Sequence, residues 1–307
     1  MQLAPIVLFV YKRPGLTRKV LEALALNDLA PASTLYVFCD GARQNDTKAS
    51  LEQIRETRAI VKERKWCGEV NVVEREQNFG LAKSIIDGVT SVVNKHGKVI
   101  VLEDDIRPTP YFLKYMNDAL EIYEPDPKVI SIGACNFFAT DDSTPETFFI
   151  KIPDCWGWAT WKDRWRLFEK DGITLHQGLT SRKLINDFNL SGTFNFEQML
   201  IDQINGKNDS WAIRWQAAAY LNNMLSLYPR LSVVENLGFG KDATHGGSAL
   251  VFGNTKLATR PIRVEREQVV TSQSVEKQML KTYVRLDAPV KRTFIMRVRA
   301  RIARLMR

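Results

Sequence analysis

Three acidic residues stand together at Glu103-Asp104-Asp105, directly after the apolar run Val99-Ile100-Val101-Leu102. Adjacent carboxylates repel one another, and a hard divalent cation such as Mg2+ or Mn2+ relieves that repulsion through carboxylate oxygens. The preceding run is mostly β-branched and predicts a short strand buried on both faces. Its carboxyl end is where open α/β sheets hold their ligands. A solvated turn, with one Asp capping a helix that begins near Pro110, is the plain alternative.

Three other apolar runs end in polar groups. Tyr11-Lys12-Arg13-Pro14 follows the first, where the ring of Tyr11 and the guanidinium of Arg13 suit a base and a phosphate. Asp40, in Asp40-Gly41-Ala42-Arg43, follows the second and can accept bonds from a base or a ribose. Gln77-Asn78-Phe79-Gly80-Leu81-Ala82-Lys83 follows the third. There Asn78 and Gly80 form a turn into a helix whose first turn carries Lys83, and a helix N-terminus favours anions. Taken singly, each is a turn, a cap or a solvated charge. Four on one sheet edge point jointly to a nucleoside diphosphate held with a metal. No Walker-type glycine loop occurs, which counts against an ATPase.

The elements that must position these groups alternate along the first half of the chain. Apolar runs predict strands at 5–10, 35–39, 70–73, 98–102 and 129–132. Helical spacing of apolar residues predicts helices at 16–28, 47–65, 80–95 and 110–124, with another through Trp211–Leu225. Repeated βα units with short connections predict a mostly parallel sheet covered by helices on both faces.

Composition bounds the compartment and the partners. The 307 residues are 45% hydrophobic and 25% charged, as in an ordinary globular protein. Cys39, Cys67, Cys135 and Cys155 lack metal-ligand spacing and read as buried thiols in a reducing cytosol. Three histidines are too few for a zinc site built on several of them. Pro5-Ile6-Val7-Leu8-Phe9-Val10 reads as a first strand rather than a signal peptide. No uncharged apolar run approaches the roughly 20 residues that span a bilayer.

The formal charge of +8 suggests a nucleic-acid partner until it is located. Lys291, Arg292, Arg297, Arg299, Arg301, Arg304 and Arg307 account for seven of those charges, and no acid offsets them within 289–307. The body is therefore nearly neutral, whereas a nucleic-acid surface spreads its basic residues over the fold. Phe294, Ile295, Val298, Ile302, Leu305 and Met306 share one helical sector of this tail. A basic amphipathic helix at 289–307 suits an anionic membrane surface, or else packs on the body or a partner.

Together with Asp40, the turn Asn78-Phe79-Gly80-Leu81 and the triplet Glu103-Asp104-Asp105, the stretch Cys155-Trp156-Gly157-Trp158-Ala159-Thr160-Trp161 resembles the GT-A nucleotide-sugar glycosyltransferases. The nearest likeness is to the N-acetylglucosaminyltransferase I group and to bacterial sugar transferases of similar layout, over about residues 3–250. The resemblance implies a Rossmann-like GT-A sheet with an aspartate-x-aspartate-type motif. In that motif Asp105 would bind the metal, and Glu103 and Asp104 would contact the donor's sugar and ribose. It also implies a carboxylate base after the tryptophan stretch if the reaction inverts, for which Asp209 is the candidate and Asp154 the rival. Asp209 could equally be an N-cap for the helix that follows.

Trp156 and Trp158 could offer flat faces to an acceptor sugar across Gly157, or fill the core instead. In the glycine-rich stretch from Glu235 to Gly247, Lys241 or His245 could touch phosphate or metal. A histidine after the tryptophan region is common in related enzymes.

The expected organisation is one GT-A-like domain over 1–250, with a nucleotide-binding half at 1–135 and an acceptor half at 136–250. An extension over 251–307 carries the basic amphipathic helix. The expected activity is metal-dependent transfer of a sugar from a nucleotide-sugar donor to a hydroxyl of a glycan or lipid-linked glycan. It would be cytoplasmic, held peripherally on the inner face of the membrane, in bacterial surface glycan assembly. A sugar-phosphate nucleotidyltransferase is the alternative enzyme, but Tyr11-Lys12-Arg13-Pro14-Gly15 imitates its glycine-rich basic signature poorly. A non-catalytic membrane-docked module is the third reading, opposed by the intact triplet. A nucleic-acid protein is the weakest.

Overall fold

The computed structural model describes residues 2–138, 140–141, 143–239 and 255–285. Lys241, His245 and the basic segment 289–307 lie outside the described residues.

An eight-stranded sheet organises the chain. Its strands are β1 (Ile6–Val10), β2 (Thr34–Cys39), β3 (Glu69–Glu74), β4 (Lys98–Glu103), β6 (Val129–Gly133), β7 (Thr147–Ile150), β8 (Trp158–Trp161) and β9 (Leu225–Pro229). They lie in the order β3-β2-β1-β4-β8-β6-β9-β7. The first four are parallel, with Leu8 between Val37 and Leu102. Beyond them β8 runs antiparallel to both β4 and β6, β6 and β9 are parallel, and β7 closes the far side antiparallel to β9. A separate two-stranded ribbon pairs β5 (Ile106–Pro108) with β10 (Val234–Asn236).

The alternation of side chains along each strand sorts the core into two layers. Ile6, Leu8 and Val10, with Ile100 and Leu102, face the layer that contains α1 (Pro14–Ala25), α2 (Lys48–Lys62) and α4 (Phe112–Tyr123). Val7 and Phe9, with Val99 and Val101, face the layer of α3 (Leu81–His96) and the later helices. Those are α5 (Lys162–Trp165), α6 (Gly172–Ser181), α7 (Ile185–Phe188), α8 (Phe196–Ile204) and α9 (Trp211–Leu221). Strands covered on both sides must be apolar on both, which is why these runs read as continuous rather than alternating.

Local signals set the helix ends. Pro14 supplies the first turn of α1, where its missing N–H costs nothing. The Thr47 hydroxyl accepts from Ser50 N at 3.1 Å to start α2. Gly97, at φ 81°, closes α3 in the left-handed conformation.

Residues 255–285 pack back onto the body. Tyr123 Oη donates to the Glu265 carbonyl at 2.8 Å, and Tyr111 Oη donates to the Thr259 carbonyl at 2.9 Å. Thr271 bridges to Phe149 at the β7 edge. Residues 273–285 are helical and bury Val275, Met279 and Tyr283. No helix among the described residues is long and apolar enough to cross a membrane.

Candidate functional site

Because β1 to β4 are parallel, the segments that follow them emerge at one edge. Side chains from these segments interlock there. Arg13, after β1, donates through Nη1 to Asp105 Oδ2 at 2.8 Å and through Nη2 to Asp104 Oδ1. Asp104 is buried and also lies 3.4 Å from Tyr11 N, while Asp105 is partly open.

Two of the three adjacent carboxylates bond this guanidinium, and Glu103 feels it only through its charge. Burial, then Asp105 and Asp104, push Glu103 up to about 8. Burial also pushes Asp104 up to about 6, against the pull of Arg13. For Arg13 itself burial favours loss of the proton, but the two aspartates override it and the pKa rises. The cluster thus holds more negative charge than Arg13 neutralises.

A divalent cation fits that imbalance. Among the described residues, however, no three metal-binding side chains gather into a cage. The donor set matches a site in which one or two carboxylates share the ion with substrate phosphates, the usual habit of Mg2+.

A second network surrounds Tyr11. Its hydroxyl donates to Asp46, which also accepts from Lys12 Nζ at 2.9 Å and from Arg43 N at 2.8 Å. Lys12 and Arg43 lie over the Tyr11 ring at 5.2 and 5.9 Å from its centroid. Burial and the bond to Asp46 push the phenol up to about 12. Asp46 sits in a polar loop, where no pattern of neighbouring residues singles it out.

Asp40 is engaged by its own surroundings. Its two oxygens accept from Gly41 N at 3.0 Å, Asn78 Nδ2 at 2.9 Å, Phe79 N at 2.9 Å and Gly80 N at 3.1 Å. A carboxylate has about four acceptor directions, so a base or ribose would have to compete for them. Here Asp40 fastens the end of β2 to the turn that starts α3. Gly80 holds φ 73° in that turn with open space beside it. Lys83 pairs with Asp87 and lies 4.2 Å from the Phe79 ring centroid.

The tryptophan stretch divides between core and surface. Trp158 is 1% exposed and stacks on Trp211 at 5.2 Å, with Trp165 at 5.6 Å. Its expected acceptor contact is therefore corrected: the ring lies inside an aromatic cluster, out of a sugar's reach. Trp161 is likewise buried and donates to the Leu120 carbonyl. Trp156 is partly exposed and packs on Phe137 at 5.6 Å. Gly157, at φ 76°, lets this loop close on the ribbon, since a Cβ there would meet Val234 Cγ1 at 3.1 Å.

The two base candidates differ in access. Asp154 is buried and accepts from Ala134 N at 3.0 Å, Cys135 N at 2.7 Å and Trp156 N at 2.9 Å. Burial pushes it up to about 7 despite those bonds. It ties the end of β6 to the tryptophan loop. Asp209 is 69% exposed and pairs with Arg214 at 3.2 Å. The N-cap of α9 is Ser210, whose Oγ accepts from Ile213 N at 3.3 Å, so Asp209 is not needed for capping. Asp209 lies two residues before Trp211, which stacks on Trp158, and Trp158 pairs with Val101 on β4.

Gly238 is a further member that sequence reasoning missed by name, although it lies in the glycine-rich stretch already noted. Leu237 N donates to the Asp105 carbonyl at 2.8 Å, and Gly238 lies against the Asp105 carboxylate. The β5–β10 ribbon thus brackets the third acid from both ends.

No known family model and no curated protein matches the chain. Two crystal structures of S. aureus TarS align with parts of it. One is 17% identical over 40% of this chain and 19% of that one, at a TM-score of 0.28. The other, of residues 1–349, is 15% identical over 52% of this chain and 47% of that one, at 0.38. The chain thus spans less than half the length of either, and likenesses this slight assign neither fold nor activity.

Proposed function

We propose that the chain is a glycosyltransferase that moves a sugar from a nucleoside-diphosphate donor to an acceptor hydroxyl. The observation that carries this reading is that the segments after the parallel strands β1 to β4 bring their polar groups to one edge of the sheet. An aromatic ring, an arginine fork, a helix N-terminus and an acidic cluster converge there. The ring suits a base, the arginine fork and the helix N-terminus a diphosphate, and the acidic cluster a ribose and sugar.

In this reading the Tyr11 ring meets the base, Asp40 and Asn78 shape the turn beside it, and Glu103 and Asp104 contact sugar and ribose. Arg13, Lys83 and the α3 N-terminus at Gly80 face the diphosphate. Asp105 would hold Mn2+ or Mg2+, with His245 a second candidate. Bound there, the ion would offset charge growing on the departing diphosphate.

Trp156 presents a flat face to the acceptor. Asp209 takes the acceptor hydroxyl's proton as that oxygen bonds to the anomeric carbon. The bond from that carbon to the diphosphate breaks, and the diphosphate leaves with its electron pair. Attack opposite the leaving group inverts the anomeric centre. Arg214 orients one Asp209 oxygen for this task. Glycan or lipid-linked glycan acceptors at the inner face of a bacterial membrane, with the basic tail docked on anionic lipid, fit the same proposal.

A thermal-shift screen of nucleoside diphosphates and nucleotide sugars, each with and without Mn2+, tests it. A ligand that binds only the folded state raises the melting temperature by mass action. A metal-dependent rise for one nucleotide is expected. The absence of a rise with every nucleotide would overturn the reading.

A further inference from the structure

Arg13 reaches the acidic cluster in an unusual way. Its two terminal nitrogens go to two different aspartates, so one planar fork spans both. Its backbone is held independently, since the Arg13 carbonyl accepts from Thr17 N at 2.9 Å in the first turn of α1. The guanidinium can therefore leave by side-chain rotation alone. Its side chain is 40% exposed, whereas that of Asp104 is 3% exposed. The way out is open on the arginine's side.

A divalent ion and this guanidinium compete for Asp105 Oδ2 and Asp104 Oδ1. Mg2+ needs oxygen contacts of about 2.0–2.1 Å, and Nη1 already stands 2.8 Å from Asp105 Oδ2. Two cations on one carboxylate would lie within a few ångströms of each other and repel strongly.

We propose that Arg13 is an internal counter-cation of the acidic cluster, one that occupies Asp104 and Asp105 and sets how tightly a divalent ion can bind them. The inference rests on the metal-dependent reading above and extends it. The ion gains the oxygens that Arg13 holds only by displacing the arginine, and binds the remaining ones against its charge. Anything that draws the freed guanidinium away, such as a donor diphosphate, strengthens the ion's hold, and the coupling is reciprocal. Metal alone is held weakly.

Titration of the full chain with Mn2+, following the free ion by electron paramagnetic resonance, tests this directly. Arg13→Gln should bind Mn2+ about tenfold or more tightly than wild type, because one competing charge is gone. Arg13→Lys keeps the charge and should stay near wild type. If both variants bind more weakly, Arg13 only braces the aspartates; the inference is then overturned while the metal reading stands. If neither wild type nor variants bind Mn2+, the metal reading fails and takes the inference with it.

A measurement on the unaltered chain guards against a misfolded variant. The Arg13 guanidinium protons, protected by the ion pairs, should exchange faster with water once Mg2+ is bound. Protection that persists in the Mg2+ complex would sink the proposal.

Discussion

Gly238 lies hard against the carboxylate of Asp105: a Cβ built there would meet Asp105 Oδ2 at 2.6 Å and Asn236 Oδ1 at 3.0 Å. The obstructing atoms are the ends of two side chains, so the protein can relieve the contact by moving Asp105. Gly238→Ala should therefore change stability by less than about 1 kcal/mol yet weaken metal-dependent nucleotide binding about tenfold or more. Urea denaturation and Mn2+-dependent thermal shifts measure the two effects separately. Equal nucleotide binding by both proteins would show that Asp105 takes no part in it.

Asp40 offers the opposite balance. Asp40→Ala would leave Phe79 N and Gly80 N without this acceptor and cost the Asn78 amide one of its two, loosening the turn that starts α3. A hydrogen bond to a charged group contributes about 1.5–3 kcal/mol. The variant should lose stability by that order in urea denaturation even without any nucleotide. If stability holds and only nucleotide binding falls, Asp40 serves the ligand rather than the turn.

Trp158 and Trp156 are separated by one residue and should behave differently. Removing a buried tryptophan ring costs about 3–5 kcal/mol, so Trp158→Ala should lower the melting temperature severely. Trp156→Ala, on the partly exposed side, should cost less and weaken acceptor binding instead. Comparable losses from both substitutions would place both rings in the core.

Much of the parallel half was legible because its strands are buried on both faces. Runs such as Ile6–Val10 and Val99–Leu102 are too apolar to be surface, and the observed β1 to β4 and β6 differ from expectation by a residue or two at their ends. The helices α1 to α4 followed from periodicity in the same way. What remained hidden was antiparallel pairing across long sequence gaps. The four residues of β8 are not among the expected strands, and only tertiary pairing with β4 and β6 makes them one. The β5–β10 ribbon joins segments more than a hundred residues apart, and no local pattern announces it.

The site divides along the same line. The residue types at the strand ends suggested a nucleotide edge, but types alone could not say which groups touch each other. Arg13 stood out as a phosphate ligand, and the structure ties it to Asp104 and Asp105. Asp154 stood out as a possible base, and the backbone donors of Ala134, Cys135 and Trp156 explain why a carboxylate sits there at all.

Buried carboxylates give the fold a pH dependence of definite sign. Burial raises Glu103 to about 8, Asp154 to about 7 and Asp104 to about 6. Each binds its proton more tightly in the folded state than in the unfolded one. The stability this confers is full below about pH 4, where both states are protonated, and is lost as pH rises through these values. Chemical denaturation in EDTA should find the protein more stable at pH 5 than at pH 8. Mn2+ should narrow that gap by stabilising the ionised cluster at the upper end. A flat or rising curve between pH 5 and 8 would mean that these groups are not held as buried acids.

Asp209 carries the proposed proton transfer, and its setting makes the role separable from structure. The carboxylate is largely exposed, Ser210 performs the capping, and Arg214 keeps its bonds to the Ser210 and Lys170 carbonyls when Asp209 is changed. Asp209→Asn retains an oxygen for Arg214 and should cost less than about 1 kcal/mol, as exposed ion pairs do. Donor binding, proposed for the β1–β4 edge, should be unchanged in thermal shift. Transfer should fall about 10²–10⁴-fold, the usual contribution of a positioned general base. If transfer persists at near wild-type rate, the proton goes elsewhere. Asp154 would then be the carboxylate to test, with the backbone bonds it makes expected to exact a stability loss that Asp209 does not.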